Sequence, residues 1–284
     1  NEGYNSNGTV RITDSQIINN NGIGIYASRS YDSWVISGNT ISGNQSTGLS
    51  FYEWGFDVNL DISDNVIEDN AYGQVELSVI SGLTFSDNRL SKSNSNSGSY
   101  VFYFDNSRGA NQSYSTDNIT ITDNEFINSG SGDTVYIYDS GAADAVITGN
   151  SITGGSNGLR LSNSNTNVQP TISDNTITGT SSYALYISGK LVPTVTDNRL
   201  DGNAYGMYFE YSDANGNGSF DVSNNEIINS SNDAITIDNY AKPTFSNNDI
   251  YGNGGYAIVN NTSYAINAKN NWWGDTDTAT INNG

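Results

Sequence analysis

The chain contains no histidine and no cysteine. That alone excludes Ser-His-Asp and Cys-His nucleophiles, imidazole general bases and His- or Cys-ligated zinc or copper. Phenols, carboxylates and a few cations remain. Tyr103, Tyr136, Arg160, Tyr186 and Tyr208 stand at one recurrent position, 33, 24, 26 and 22 residues apart. Near them are Asp105, Tyr138, Asp139, Glu210 and Tyr211. Aromatic rings with acidic neighbours suit a pyranose, which offers an apolar face and hydroxyl edges. For catalysis, Tyr with Arg supplies the base and the cation that a polysaccharide lyase needs. Asp105 and Asp139 are the best pair for a glycosidase, whose two carboxyls stand roughly 5 to 9 Å apart. A purely structural reading competes with both, because Tyr is a good strand former and aromatic ladders stabilise paired strands.

A second chemical pattern is acidic. Asp14, Asp64, Asp87, Asp123, Asp174 and Asp197 each precede a recurrent Asn or its Ser15 equivalent. Asp64, Asp87 and Asp123 fall in consecutive copies, where stacked carboxylates about 5 Å apart would suit Ca²⁺ as a hard ion taking oxygen ligands. The alternative is an Asx turn, in which each carboxylate serves its own backbone. No other cofactor is expected. Ten basic residues against thirty acidic ones give a net charge of −20, and no Lys/Arg cluster occurs, so nucleic acid is not a partner. No run of about 18 apolar residues is present, so no membrane span is expected. The chain opens on Asn1 without a basic and apolar leader, which reads as a processed or excised segment.

These side chains are positioned by a repeat. A β-branched pair, a polar step ending in Asn, one apolar residue, a polar stretch and a second short apolar pair return along an asparagine-rich chain. Leu60-Asp-Ile-Ser-Asp-Asn-Val-Ile67 and Pro193-Thr-Val-Thr-Asp-Asn-Arg-Leu200 are two copies. The Asn falls at Asn39, Asn65, Asn88, Asn124, Asn150, Asn175, Asn198, Asn225, Asn248 and Asn271, with Ser15 in its place in the first copy. A unit of this length repeated along the whole chain predicts a solenoid. Alternating apolar residues over three to five positions predict short strands with one face buried. The expected fold is all-β: a parallel β-helix of about ten to eleven coils with three short strands per coil. Asn suits the corner because it tolerates left-handed φ/ψ and because stacked amides can bond from rung to rung.

The Ile-x-Asp-Asn-x-Ile phrase, the Gly-Ile-x-Ile strand and Asn270-Asn271-Trp272-Trp273-Gly274 resemble the right-handed parallel β-helix repeat family of secreted bacterial and archaeal proteins, the fold of pectate lyases and polygalacturonases. The resemblance covers nearly the whole chain. It implies a right-handed single-stranded helix, with any cleft on the outer face of the Gly-led sheet, walled by loops at 27–33, 52–59, 105–118, 139–144, 162–169, 210–218 and 238–242. The catalytic signatures of those enzymes are missing. Gly-His-Gly is impossible without His, and no Arg-x-Pro-x-x-Arg surrounds Pro170, Pro193 or Pro243.

If the apolar pair of each Gly-led strand points inward, the residue between them faces solvent. The outward column is then Gly24, Ser50, Glu76, Tyr103, Tyr136, Arg160, Tyr186, Tyr208 and Thr236. On the sheet before the Asn, Thr84, Thr120, Thr171, Thr194 and Thr244 form a hydroxyl column interrupted by Asp61, Val146 and Asp221. Trp272 and Trp273 are expected to close the core at one end, giving a β-helix domain over 1–274 and a polar tail over 275–284. Nothing comparable covers the first coil, which makes end-to-end stacking of copies, or an adjoining domain, an expected contact. The expected function is a non-catalytic extracellular or cell-surface rod, structural or adhesive, contacting polysaccharide through the tyrosines. The alternative is a lyase or glycoside hydrolase working on the same face.

Overall fold

The computed structural model describes residues 8–28, 33–52, 59–78, 80, 82–93, 100–105, 119–138 and 145–274, with no description of the side chains of 164–167. The tail 275–284, the loop residues 106–118 and 139–144, most of 27–33 and 52–59, and the first seven residues lie outside them.

Thirty strands form three sheets of ten, every pairing parallel and every neighbour one coil away. One sheet carries the strand before the Asn, from Thr9–Thr13 to Lys242–Ser246. The second carries the strand after it, from Gln16–Ile18 to Asp249–Tyr251, and the third the Gly-led strand, from Ile25–Ser28 to Val259–Asn260. At about 4.8 Å per coil this makes a rod on the order of 50 Å long. Apolar side chains stack in register through its centre. Ile36, Ile62, Phe85, Ile121 and Ile147 form one such column, and Ile41, Ile67, Leu90, Phe126 and Ile152 another; all are buried.

The corner is built from two adjacent residues with different tasks. The Asn is turned inward and buried, and its Oδ1 accepts both the backbone N–H and the Nδ2 of the Asn one coil earlier. At Asn150, bonded from Asn124, both distances are 3.0 Å. Its own Nδ2 reaches the carbonyl of Ile121 at 2.9 Å and Oδ1 of Asn175 at 2.9 Å. The ladder runs unbroken from Asn39 to Asn271. Left-handed φ/ψ, expected at the Asn, belongs instead to the residue before it: Asp14, Gly38, Asp64, Asp87, Asp123, Gly149, Asp174, Asp197, Asn224, Asn247 and Asn270 all have φ between 50° and 70°. Asp, Asn and Gly accept that conformation most easily.

The same corner holds the aspartates whose stacking was expected to suit calcium. Asp64, Asp87 and Asp123 take the turn conformation, and among the described residues no three acidic side chains are grouped so as to hold a metal ion. Two of the corner aspartates accept from the preceding hydroxyl: Thr122 donates to Asp123 at 3.1 Å, and Thr196 to Asp197 at 2.7 Å. The hydroxyl beside the corner recurs in ten successive coils, at Thr13, Ser37, Ser63, Ser86, Thr122, Thr148, Ser173, Thr196, Ser223 and Ser246, all in register.

A second ladder went unread in the sequence. Asn20, Asn44 and Asn70 are bonded at the next corner, and Asn203 and Asn253 hold equivalent places further along. It stops in mid-rod, where Lys92 is buried and donates to the Tyr72 carbonyl at 3.1 Å. At the C-terminal end Trp273 packs against the core, whereas Trp272 is 43% exposed. Neighbouring residues of an extended segment point to opposite sides, so only one of the expected pair can cover the last coil.

Candidate functional site

The third sheet gives the outward column its true register. Tyr26 pairs with Ser50, so Tyr26 and not Gly24 is the first member. The inward pair of that strand is Ile25 and Ala27. Beyond it the column runs Ser50, Glu76, Tyr103, Tyr136, Arg160, Tyr186, Tyr208 and Thr236, as expected. Ser50 and Thr236 are nonetheless buried. The half-buried span is therefore Glu76 to Tyr208, with five consecutive aromatic or guanidinium side chains.

These five are in ring contact. Tyr103 and Tyr136 lie 5.4 Å apart between centroids. The Arg160 guanidinium sits 4.6 Å from the Tyr136 ring centre and 5.3 Å from that of Tyr186. Tyr186 and Tyr208 stack at 4.6 Å with only 12° between their planes. Arg160 thus fills the place of a ring within the row, as a guanidinium can because it is flat and delocalised. Its Nη1 pairs with Asp133 at 3.2 Å, and its Nε is buried without a partner.

A second row flanks the first. Tyr100 stacks on Tyr103 at 4.4 Å. Tyr183 lies 5.2 Å from Tyr208, and 4.9 Å from Tyr205. Sequence reasoning missed these three, although each stands three residues before a member of the first row, as Asp133 does before Tyr136. That constant offset was the available signal. The result is two tyrosine platforms, Tyr100/Tyr103/Tyr136 and Tyr183/Tyr186/Tyr205/Tyr208, joined by Arg160.

On the other side of the row lie Asp105, Tyr138, Ser162, Ser188, Glu210 and Asp238. Tyr103 donates to Asp105 at 3.3 Å, and the Asp238 carboxylate disfavours deprotonation of the Tyr208 phenol. A shallow depression of about 270 Å³ opens between Tyr138, Ser162, Ser188, Gly189 and Glu210. Its wall differs from expectation. Of the expected loop 162–169, residues 162–168 continue the strand, which runs Leu159–Val168 and pairs Ser162 with Ser188 and Asn163 with Gly189. Gly189 has φ 92°, and a Cβ there would collide with the Asn163 carbonyl, so only glycine lets the strands close at this bulge. Tyr211, expected beside the row, is buried, because alternation along Tyr205–Tyr211 turns Glu210 out and Tyr211 in.

Burial pushes the phenols of Tyr100, Tyr103, Tyr183, Tyr186 and Tyr208 above their usual range. The neighbouring carboxylates reinforce this at Tyr103 and Tyr208, while Arg160 opposes it at Tyr186 without reversing it. All five keep their protons at neutral pH, where they present rings and hydroxyls.

Fold and site together define a parallel β-helix with one exposed aromatic face. The chain belongs to the right handed beta helix region family, whose model matches residues 3–171 and 157–281. No curated protein and no solved structure matches it.

Proposed function

We propose that this chain is a non-catalytic extracellular rod, structural or adhesive, that contacts polysaccharide through the tyrosine face of its Gly-led sheet. The observation that carries this reading is the continuous stack from Tyr103 to Tyr208 with Arg160 at its centre. Rings held in mutual contact present a rigid surface that loses little entropy when a sugar stacks on it. Several features support a non-catalytic role. A base is effective with a pKa near the working pH, whereas these phenols are shifted upward. The one cation in the row is already held by Asp133. Among the described residues no metal-binding group of acidic side chains is present.

Affinity electrophoresis in gels containing single polysaccharides tests the contact, and assays for unsaturated products and reducing ends test for turnover. Retardation in at least one gel without product is the expected result. Product release from any glycan overturns the non-catalytic reading. Unchanged retention in the double variant Tyr136→Ala/Tyr186→Ala removes the tyrosine face from it.

A further inference from the structure

We infer that the tyrosine face selects uncharged glycans and rejects polyuronates, because the charged groups along it are carboxylates and its one cation is already engaged. This rests on the reading of the face as a polysaccharide contact and adds the class of sugar it takes.

The charges along the face are unbalanced. Glu76 stands in the tyrosine column, and Asp105, Glu210 and Asp238 stand in the column beside it. The one cation in these two columns is Arg160, whose guanidinium is spent on Asp133 and on two rings. Lys190, near the same depression, is held by Asp213 at 3.1 Å. The phenolic hydrogen of Tyr103 is directed to Asp105, so it too is engaged. Asn239 occupies one oxygen of Glu210 at 2.8 Å and Asn261 one oxygen of Asp238 at 2.8 Å. The second oxygens of Glu210 and Asp238 remain to accept.

A ligand of this face must therefore bring no negative charge, and it gains from donors that meet the carboxylates. The hydroxyls of a neutral hexose do this, and its apolar face lies on the rings. A uronate brings acceptors and a like charge into a row of carboxylates, with no free cation to receive it. An amino sugar supplies donors, but it places an ammonium over Arg160 where the two platforms meet. An uncharged chain can run across both platforms without meeting a like charge of either sign.

Electrophoresis through gels of galactomannan, a neutral β-glucan, polygalacturonate and chitosan, each at low and high salt, tests this on the intact chain. The expected result is retardation in a neutral gel, unchanged by salt, with at least tenfold weaker retardation in polygalacturonate. The triple variant Asp105→Asn/Glu210→Gln/Asp238→Asn is expected to gain affinity for polygalacturonate while circular dichroism reports an unchanged sheet. Wild-type retention by polygalacturonate equal to or above that by every neutral gel overturns the inference and leaves the glycan contact standing. Retention by chitosan alone also overturns it. Migration unaffected in all four gels removes the glycan contact itself, and the inference with it.

Discussion

The Asn corner and the tyrosine face occupy the same ten coils and obey opposite rules. At the corner each coil repeats the same residue, because the Asn of one coil is the partner of the Asn in the next and any change leaves a buried group unmet. On the face the column changes from Glu76 to Tyr103 to Arg160 to Thr236, since an outward side chain is not required by its neighbours above and below. Repetition thus marks what the coil needs to exist, and departure from repetition marks what the coil is free to present. The two meet at Gly189, where a departure in the backbone shapes the depression beside the tyrosines.

Breaking the corner is expected to have the largest effect. Asn150→Ala strands the Asn124 N–H and several buried carbonyls, and should lower stability by about 3–5 kcal/mol in urea unfolding. Gly189→Val, forced into positive φ against the Asn163 carbonyl, should cost about 2–3 kcal/mol in the same measurement. On the face, Tyr186→Ala/Tyr208→Ala removes one stacked pair worth about 0.5–1.5 kcal/mol beyond its buried area, yet should abolish glycan retardation. A face variant as destabilising as the corner variant would remove the distinction between the two regions.

The smallest effect concerns Glu76, whose carboxyl is pushed up by burial. A carboxyl with a folded pKa above its unfolded value binds more protons when folded, so it detracts from stability above that range and the penalty fades as pH falls through it. Glu76→Gln should therefore stabilise the rod slightly at pH 7, and the gain should vanish on titration below the usual glutamate range. A gain that grows on acidification would show that the carboxylate is favourably bonded.

The repeat, the number of strands per coil and the Asn ladder were legible because their signal is local and recurs many times. A β-branched pair and an Asn at near-constant spacing admit few alternatives. The outward column was also legible from Ser50 onward, since alternation in a strand fixes which side each residue takes. Reading failed where one coil breaks the rule. Gly24 was placed where Tyr26 stands, because Ile23 and Ile25 look like an inward pair, whereas the structure uses Ile25 and Ala27. Tyr211 looked like a surface aromatic and is core. Asp64, Asp87 and Asp123 take the left-handed turn beside the ladder, a backbone role that spacing alone does not separate from a ligand role.

The sequence by itself determined the all-β class, the coil, the ladder and the exclusion of histidine and thiol chemistry, because each depends on residue type and spacing alone. Only the tertiary structure decided that Tyr100, Tyr183 and Tyr205 join the row, and that Arg160 lies between two rings with its charge on Asp133. It also decided that the strand at 162–168 becomes a wall. Those outcomes depend on side-chain direction and on which coil lies beside which, and the insertions between copies hide that pairing from a one-dimensional reading.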